Sequence, residues 1–381
     1  MNRIPDDFVV TPWEVKGEID YDQLIVRFGT SRIDDAILSK FQKHTGELHL
    51  MLRRGIFYSH RDMGWIFDKY EKGEPFSLYT GRGPSGHTTL GHIMPWLFTK
   101  YLQDKFGAHL YFELTDDEKF FFKENLTQEE ARNFAYENAL DLIALGFDPE
   151  KTHIFLDTEF IHTLYPIASK LAKKVTFSTI KAVFGFTNSN NIGSIFYTSL
   201  QGASAFVASE LNGKNIPCLI PCGIDQDPHF RVCRDVAEKI GYLKPAGIYC
   251  KMLPSLTGSD KMSASIPTTS IFTTDSPKDV KKKIGNAFTG GCVSIEEQKV
   301  KGGNPDICSV YQYLYYIFED DDRKLEERRS QCRAGTLLCG HCKQYLTVKV
   351  TSFLEAHQKR REEARNNLDK FMLRDCMGGE I

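Results

Sequence analysis

From Phe76 onward, short apolar runs alternate with longer amphipathic stretches, and turn residues mark most of the boundaries. Phe76–Tyr79 reads as a strand feeding a Gly/Pro-rich turn, Gly81–Gly86. The spacing then predicts a helix from about Thr89 to Phe106, stopped by Gly107, with Pro95 kinking it or confined to its first turns. Leu110–Leu114 predicts the next strand, and Thr127-Gln128-Glu129-Glu130 is a capping box opening a helix that Gly146 ends. Thr152–Leu156, Ile216–Pro221 and Ala246–Met252 predict three more strands. Asp227-Pro228 supplies an N-cap and a first-turn proline for a helix running to about Ile240. The stretch from about 160 to 210 is harder to read, and its elements stay unassigned. Strands alternating with helices over this length imply an α/β fold, a parallel sheet with helices on both faces.

The flanks differ. Residues 1 to about 57 read as an N-terminal extension folded onto a larger body. Within it Thr11-Pro12-Trp13 either buries its indole or packs locally, and Ile56–Arg61 forms a basic and aromatic entry to the next domain. After about 275 the chain turns helical: Ser276-Pro277-Lys278-Asp279 starts a helix carrying Lys281-Lys282-Lys283. Beyond Gly290-Gly291, helices with charged faces run through Phe318–Asp322 to Lys359–Glu363, and those charges are expected to be mainly solvated. The expected division is 1–57, 58–274 and a helical 275–365, with about 366–381 returning to the middle unit.

Bulk properties narrow the class. Of 381 residues 41% are hydrophobic and 26% charged, with a net charge of −2. A nucleic-acid partner must therefore be met by a local basic patch rather than a global field. All ten cysteines lie after residue 217 without a regular framework, the opening Met1–Asp7 lacks an apolar leader, and no run is long enough to span a membrane. A reduced cytoplasmic setting without a membrane is the expectation.

In parallel sheets, ligands bind beyond the carboxyl ends of the strands. Polar clusters fall there repeatedly: Tyr79–His92, Glu113–Glu118, Asp225-Gln226, and Lys261–Ser265 after the last strand. This recurrence points to one composite site. Gly81 and Gly83 let the backbone bend, and Gly91 would let a flat base lie against the helix start. Thr89 and His92 offer donors at a helix N-terminus, and Arg82 adds a fork suited to phosphate. Lys261, Ser263 and Ser265, alternating in a polar loop, suit an anionic ligand such as a phosphate chain.

Together these segments resemble the class I aminoacyl-tRNA synthetases. Thr89-Leu90-Gly91-His92 is similar to the "HIGH" signature, and Lys261-Met262-Ser263-Ala264-Ser265 to "KMSKS". Leu78–Ser85, Leu114–Lys119 and Leu219–Pro228 narrow the resemblance to the tryptophanyl-tRNA synthetases of eukaryotic and archaeal type, over about residues 7 to 372. The resemblance implies a Rossmann-like catalytic domain followed by an all-helical anticodon-binding domain. It implies L-tryptophan, ATP with Mg²⁺, and tRNA(Trp) as partners, and a homodimer. By position, Tyr79 and Glu113 would meet the indole edge. Glu118 and Gln201 would hold the amino and carboxylate ends, with Gln226 nearby and Asp225 toward the ribose. Thr89, His92 and Arg82 would steady the triphosphate, with Gly83, Gly91 and Met262 along the nucleotide. Lys261, Ser263 and Ser265 would stabilise the leaving pyrophosphate. No metal-ligating set is implied.

Three positions depart from the family pattern: Thr89 replaces a histidine, Ala264 a lysine, and Glu113 a glutamine. Glu113 can accept an indole N–H, yet a carboxylate costs desolvation in an apolar pocket. Cys339-Gly340-His341-Cys342 with Cys332 invites a zinc reading, but no second ligand pair stands in register, and packed or surface thiols are expected. A tyrosine-activating relative on the same scaffold, or an altered paralogue that binds without activating, remain as alternatives.

Overall fold

A computed structural model describes residues 9–10, 15–16, 19–258 and 266–375. Thr11-Pro12-Trp13 and Lys261–Ser265 lie outside the described residues. The apolar runs form a seven-stranded sheet. In chain order its strands are β1 (Ser31–Arg32), β2 (Phe57–Arg61), β3 (Ser77–Arg82), β4 (Leu110–Leu114), β5 (Thr152–Leu156), β6 (Cys218–Gly223) and β7 (Ala246–Cys250). Their spatial order is β1-β2-β7-β6-β3-β4-β5. The five strands β3 to β7 are parallel, and β1 and β2 add an antiparallel edge. The basic and aromatic run before Met63 is thus a strand of the sheet.

The chain order reverses between β3 and β6, the switch point of the parallel strands. Only Ser77 and Leu78 of β3 pair with β6, opposite Cys218 and Leu219, although both strands continue further. Past that point the Thr80 hydroxyl donates to the Pro221 carbonyl at 3.0 Å. Pro221 has no N–H to give a ladder, so the strands part here and open a crevice.

The two-residue period of the strands sorts side chains between two cores. Leu78, Leu110, Phe112, Leu114, Ile154, Leu219 and Ile248 face one. Tyr79, Tyr111, Phe155, Ile220, Cys222 and Tyr249 face the other. Glu113, two residues beyond Tyr111, therefore shares the face of Tyr79.

The predicted helix after β3 is α1 (Leu90–Phe106), with Thr89 as N-cap and Gly107 left-handed at its end. Pro95 is its sixth residue, and the Thr99 hydroxyl donates to the Pro95 carbonyl at 2.9 Å. Next come α2 (Asp116–Phe122) and α3 (Gln128–Ile143), the latter with the Thr127/Glu130 capping box. The unassigned stretch is helical: α4 (Ile161–Ala172), α5 (Phe177–Phe184) and α6 (Ile192–Ala203). In α7 (Asp227–Ala237) Asp227 does not cap. It is fully buried and accepts from Arg61 Nε at 2.7 Å, Arg61 Nη2 at 2.9 Å and Tyr249 Oη at 2.7 Å. A buried carboxylate needs such partners more than the helix needs a cap.

Beyond the sheet, α8 (Pro277–Gly285) and α9 (Cys339–Arg365) belong to the helical part. The returning tail meets the sheet edge, where Ile154 bridges Met372 and the Leu373 N–H donates to the Ile154 carbonyl at 2.6 Å. Among the described residues no helix is long and apolar enough to cross a membrane.

Candidate active site

Where β3 and β6 part lies a cavity of about 320 Å³. Tyr79, Arg82, Gly83, Thr89, Gly91, His92, Glu118, Gln201, Asp225 and Gln226, all singled out from the sequence, line it together. Five separate elements deliver them. Glu113 is not in the wall, and Lys261, Met262, Ser263 and Ser265 lie outside the described residues.

Glu113 is fully buried behind Tyr79 and Gln201. It accepts from the hydroxyls of Tyr79 and Ser204, and from Gln201 Nε2 at 2.7 Å. Burial pushes its carboxyl up to about 8, although the Ser204 and Tyr79 hydrogen bonds pull the other way. The expectation that Glu113 meets the indole edge therefore shifts: it organises the residues that do form the wall. The Gln201 amide is engaged as well, donating to Tyr79 and Glu113 and accepting from Tyr197. Because Tyr79 gives its proton to Glu113, its oxygen presents only lone pairs to anything else. The Tyr79 ring meets Phe230 edge-on at 5.8 Å.

Glu118 accepts from the Thr115 hydroxyl at 2.9 Å and from Lys119 Nζ at 2.7 Å. The chain passes directly over this pair at Gly83. A Cβ there would fall 2.4 Å from Glu118 Oε2 and 2.1 Å from Lys119 Cε, so any larger residue would have to displace the ends of these two side chains. His229 also lines the cavity, and burial lowers it to about 4, leaving it neutral.

At the helix start, Thr89 and His92 cap each other. His92 Nδ1 accepts the Thr89 N–H at 3.1 Å and sits 2.8 Å from the Thr89 hydroxyl. This puts the proton of the neutral ring on Nε2. The threonine that replaces the family's histidine is thus an N-cap, a position its short hydroxyl suits.

Arg82 corrects a second expectation. Its guanidinium does not stand ready for phosphate. It donates to the Thr88 hydroxyl at 2.6 Å and to the carbonyls of Gly86 at 3.1 Å and His87 at 2.9 Å. The fork holds the loop between β3 and α1, helped by Asn138 Nδ2 on the Gly86 carbonyl at 3.2 Å.

The lysine loop leaves and rejoins the described chain at this edge. The Leu256 N–H donates to the Thr269 carbonyl at 3.0 Å, which pins the two flanks together. The strand-like segment after it lies against the helix start, with Leu90 N–H on the Ile271 carbonyl at 3.0 Å and Thr273 N–H on the Thr88 carbonyl at 2.9 Å.

Tyr197, Phe230, His229, Lys119 and Lys251 of the wall were not singled out from the sequence. Tyr197 had a usable signal, since it stands four residues before Gln201 on one helix face. Among the described residues no three His, Cys, Asp or Glu side chains converge to hold a metal ion. Cys308, Cys332, Cys339 and Cys342 instead surround a narrow apolar gap in the helical part.

The family model for tRNA synthetases class I (W and Y) matches residues 71–355. The chain is similar to a tryptophan–tRNA ligase of Pyrobaculum calidifontis, 52% identical over 97% of this chain and 98% of that protein. Among solved structures it resembles the tryptophanyl-tRNA synthetase of Plasmodium falciparum (40% identity, TM-score 0.86, covering 93% of this chain and 97% of that one). It also resembles that of the archaeon Aeropyrum pernix K1 (32%, TM-score 0.87, 94% and 97%).

Proposed function

The chain belongs to the class I tRNA synthetases for tryptophan and tyrosine, and from that premise we infer that it is a tryptophan–tRNA ligase. It activates L-tryptophan with ATP to an enzyme-bound adenylate and passes the acyl group to the terminal ribose of tRNA(Trp). Curated relatives at about half identity over nearly the whole chain carry that activity in their names.

The observation that carries the site assignment is the cavity itself, with the Tyr79 hydroxyl fixed as an acceptor beside it. Indole N–H is a donor only, so this oxygen suits it. Tyr79 and Phe230 flank the ring, Gln201 and Glu118 hold the two ends of the amino acid, and Gln226 lies alongside. A carboxylate oxygen of tryptophan attacks the α-phosphorus in line, and pyrophosphate leaves. The protein's part is to position the reactants and neutralise spreading charge. His92 and the amides at the start of α1 meet the triphosphate on a loop that Arg82 shapes, with Thr89 holding His92 in place. Gly83 and Gly91 give the nucleotide room, and Asp225 faces its ribose. Lys261, Ser263 and Ser265 close on the leaving pyrophosphate, with Met262 against the nucleotide; the pinned flanks of their loop support this placement.

The described residues offer no cage for Mg²⁺. Magnesium arrives on the phosphate oxygens of ATP as part of the substrate. The helical unit, 275–365, reads the anticodon, while 58–274 with the returning tail is catalytic and 1–57 packs on it and adds the edge strand β1 to its sheet. Tyr165, Ile192 and Phe177, large and exposed on neighbouring helices, support a homodimer. The activity is cytoplasmic.

Pyrophosphate exchange tests the assignment. Exchange that depends on tryptophan and not on tyrosine is expected. Tyrosine dependence would make the chain the other member of the family, and no exchange with either would make it a binding paralogue.

A further inference from the structure

Beneath the amino-acid cavity lie three buried carboxyls from three elements: Glu113 on β4, Asp117 on α2 and Asp157 just past β5. Asp157 is fully buried, and among the described residues neither of its oxygens has a hydrogen-bond donor. One oxygen of Asp117 is likewise unpartnered. An ionised carboxylate accepts only, and leaving one dry and unpaired costs several kcal/mol, roughly the range at which a group neutralises instead.

The groups facing Asp157 offer no compensating charge. Glu113, Asp116 and Asp117 all raise the cost of its ionisation, and Asp117 and Glu113 both lie within hydrogen-bond reach of it. Glu118, Tyr79 and Tyr197 complete the titratable surroundings. Among the described residues, Lys119 pairs with Glu118 at 2.7 Å, and Arg132 stands 3.8 Å from Glu159. Thr158 donates to Asp116, not to Asp157.

We propose that Asp157 is a neutral carboxylic acid at physiological pH, giving its one proton to Glu113 and thereby holding the Tyr79–Gln201 wall in shape. That proton gives one Asp157 oxygen a partner, and it lets Glu113 take the hydroxyls of Tyr79 and Ser204 without a bare charge beside it. Burial drives all three carboxyls upward, Asp117 to about 6 and Glu113 to about 8. The carboxyls titrate together, so the macroscopic steps belong to the cluster. Asp157 touches no substrate; it is a positioning residue. Its part in activation rests on the assignment of this cavity to tryptophan, whereas its protonation does not.

Two measurements on the full-length protein separate these levels. Infrared difference spectra between wild type and Asp157→Asn at neutral pH should show a protonated-carboxyl carbonyl band in the wild type that the variant lacks. Absence of that band from the wild type, or its persistence in Asp157→Asn, overturns the proposal whatever the substrate proves to be. In pyrophosphate exchange, the KM for tryptophan should rise roughly tenfold as the pH is taken above the titration of the cluster, with kcat changing less. Asp157→Asn, which keeps a donor but cannot ionise, should retain a near-wild-type KM at neutral pH and lose this rise. A wild-type KM independent of pH, or an unchanged rise in Asp157→Asn, would contradict the positioning role.

Discussion

Among single residues, Glu113 is the most instructive. The alternation along β4 put it on the face of Tyr79, and family resemblance put it at the indole edge, but neither conveys depth. Depth depends on which neighbours close over a side chain, and Gln201 comes from a helix that the hydrophobic pattern left unassigned. Arg82 shows a related effect: an arginine after a glycine looks available, yet the loop it opens folds back onto its Nη1 and Nη2. Glu113→Gln should retain tryptophan-dependent exchange, because the amide fills the same space and its oxygen still accepts a donor; complete loss would count against the pocket. Its effect on stability has a definite sign. Burial raises Glu113 from an ordinary 4.5 to about 8 within the Asp157 cluster, so the folded chain keeps a proton on that cluster which the unfolded chain releases. Its contribution therefore falls as pH rises between those values and levels off above them. The Tm of Glu113→Gln relative to wild type should climb from pH 5 to pH 9; a constant offset would show that Glu113 does not titrate in this range. For Lys261→Ala, removal of a single cation from the leaving group should lower kcat roughly 10²- to 10³-fold with little change in tryptophan KM. An unchanged kcat would remove Lys261 from the mechanism.

Among the helices and strands, the strands, the capped helices and their glycine stops were legible because each is dictated locally. Thr89 and Gly107 bound α1 where expected, and Thr127 with Glu130 opens α3. What could not be read was how α9 crosses the sheet unit. His357 Nε2 lies 3.0 Å from Asp141 Oδ1 on α3, and Arg361 Nε lies 3.1 Å from the same oxygen. Burial pushes the Asp141 carboxyl up, but the His357 and Thr88 hydrogen bonds and the Arg361 charge outweigh it and hold it low. Next to His357, Gln358 Nε2 donates to the carbonyls of Thr273 at 2.8 Å and Asp275 at 3.0 Å, in the segment that lies against Thr88. One turn of α9 thus supports both sides of the proposed nucleotide site from behind. Gln358→Ala should cost about 1 kcal/mol in holding that segment, a roughly fivefold rise in ATP KM with tryptophan KM unmoved. Equal changes in both, or in neither, would mean that the contact is merely structural. The acidic run before α9 was expected to be solvated. Asp320, Asp321 and Asp322 are indeed exposed, but Glu319 is buried, and Asp322 takes Arg53 at 2.9 Å and Arg54 at 2.7 Å from the N-terminal segment.

Across the molecule, the α/β class was legible because a parallel sheet writes itself as alternation, while the switch point emerged only from spatial order. The crevice exists because β3 and β6 hydrogen-bond over two rungs and then separate. The proposed homodimer would use a different surface. Tyr165 is 56% and Ile192 85% exposed, and Tyr165 packs on Phe196 of α6 at 6.1 Å. A charge placed at both positions, Tyr165→Glu with Ile192→Glu, should convert a dimer to monomers in sedimentation velocity while leaving the fold intact; an undiminished dimer would move the interface elsewhere. Above all, tryptophan and ATP should meet where those two strands part. A crystal structure with tryptophan and a non-hydrolysable ATP analogue would show this directly. The indole N–H is expected on the Tyr79 oxygen, with the phosphates over the start of α1 beside His92. Either molecule bound outside that crevice would contradict the assignment.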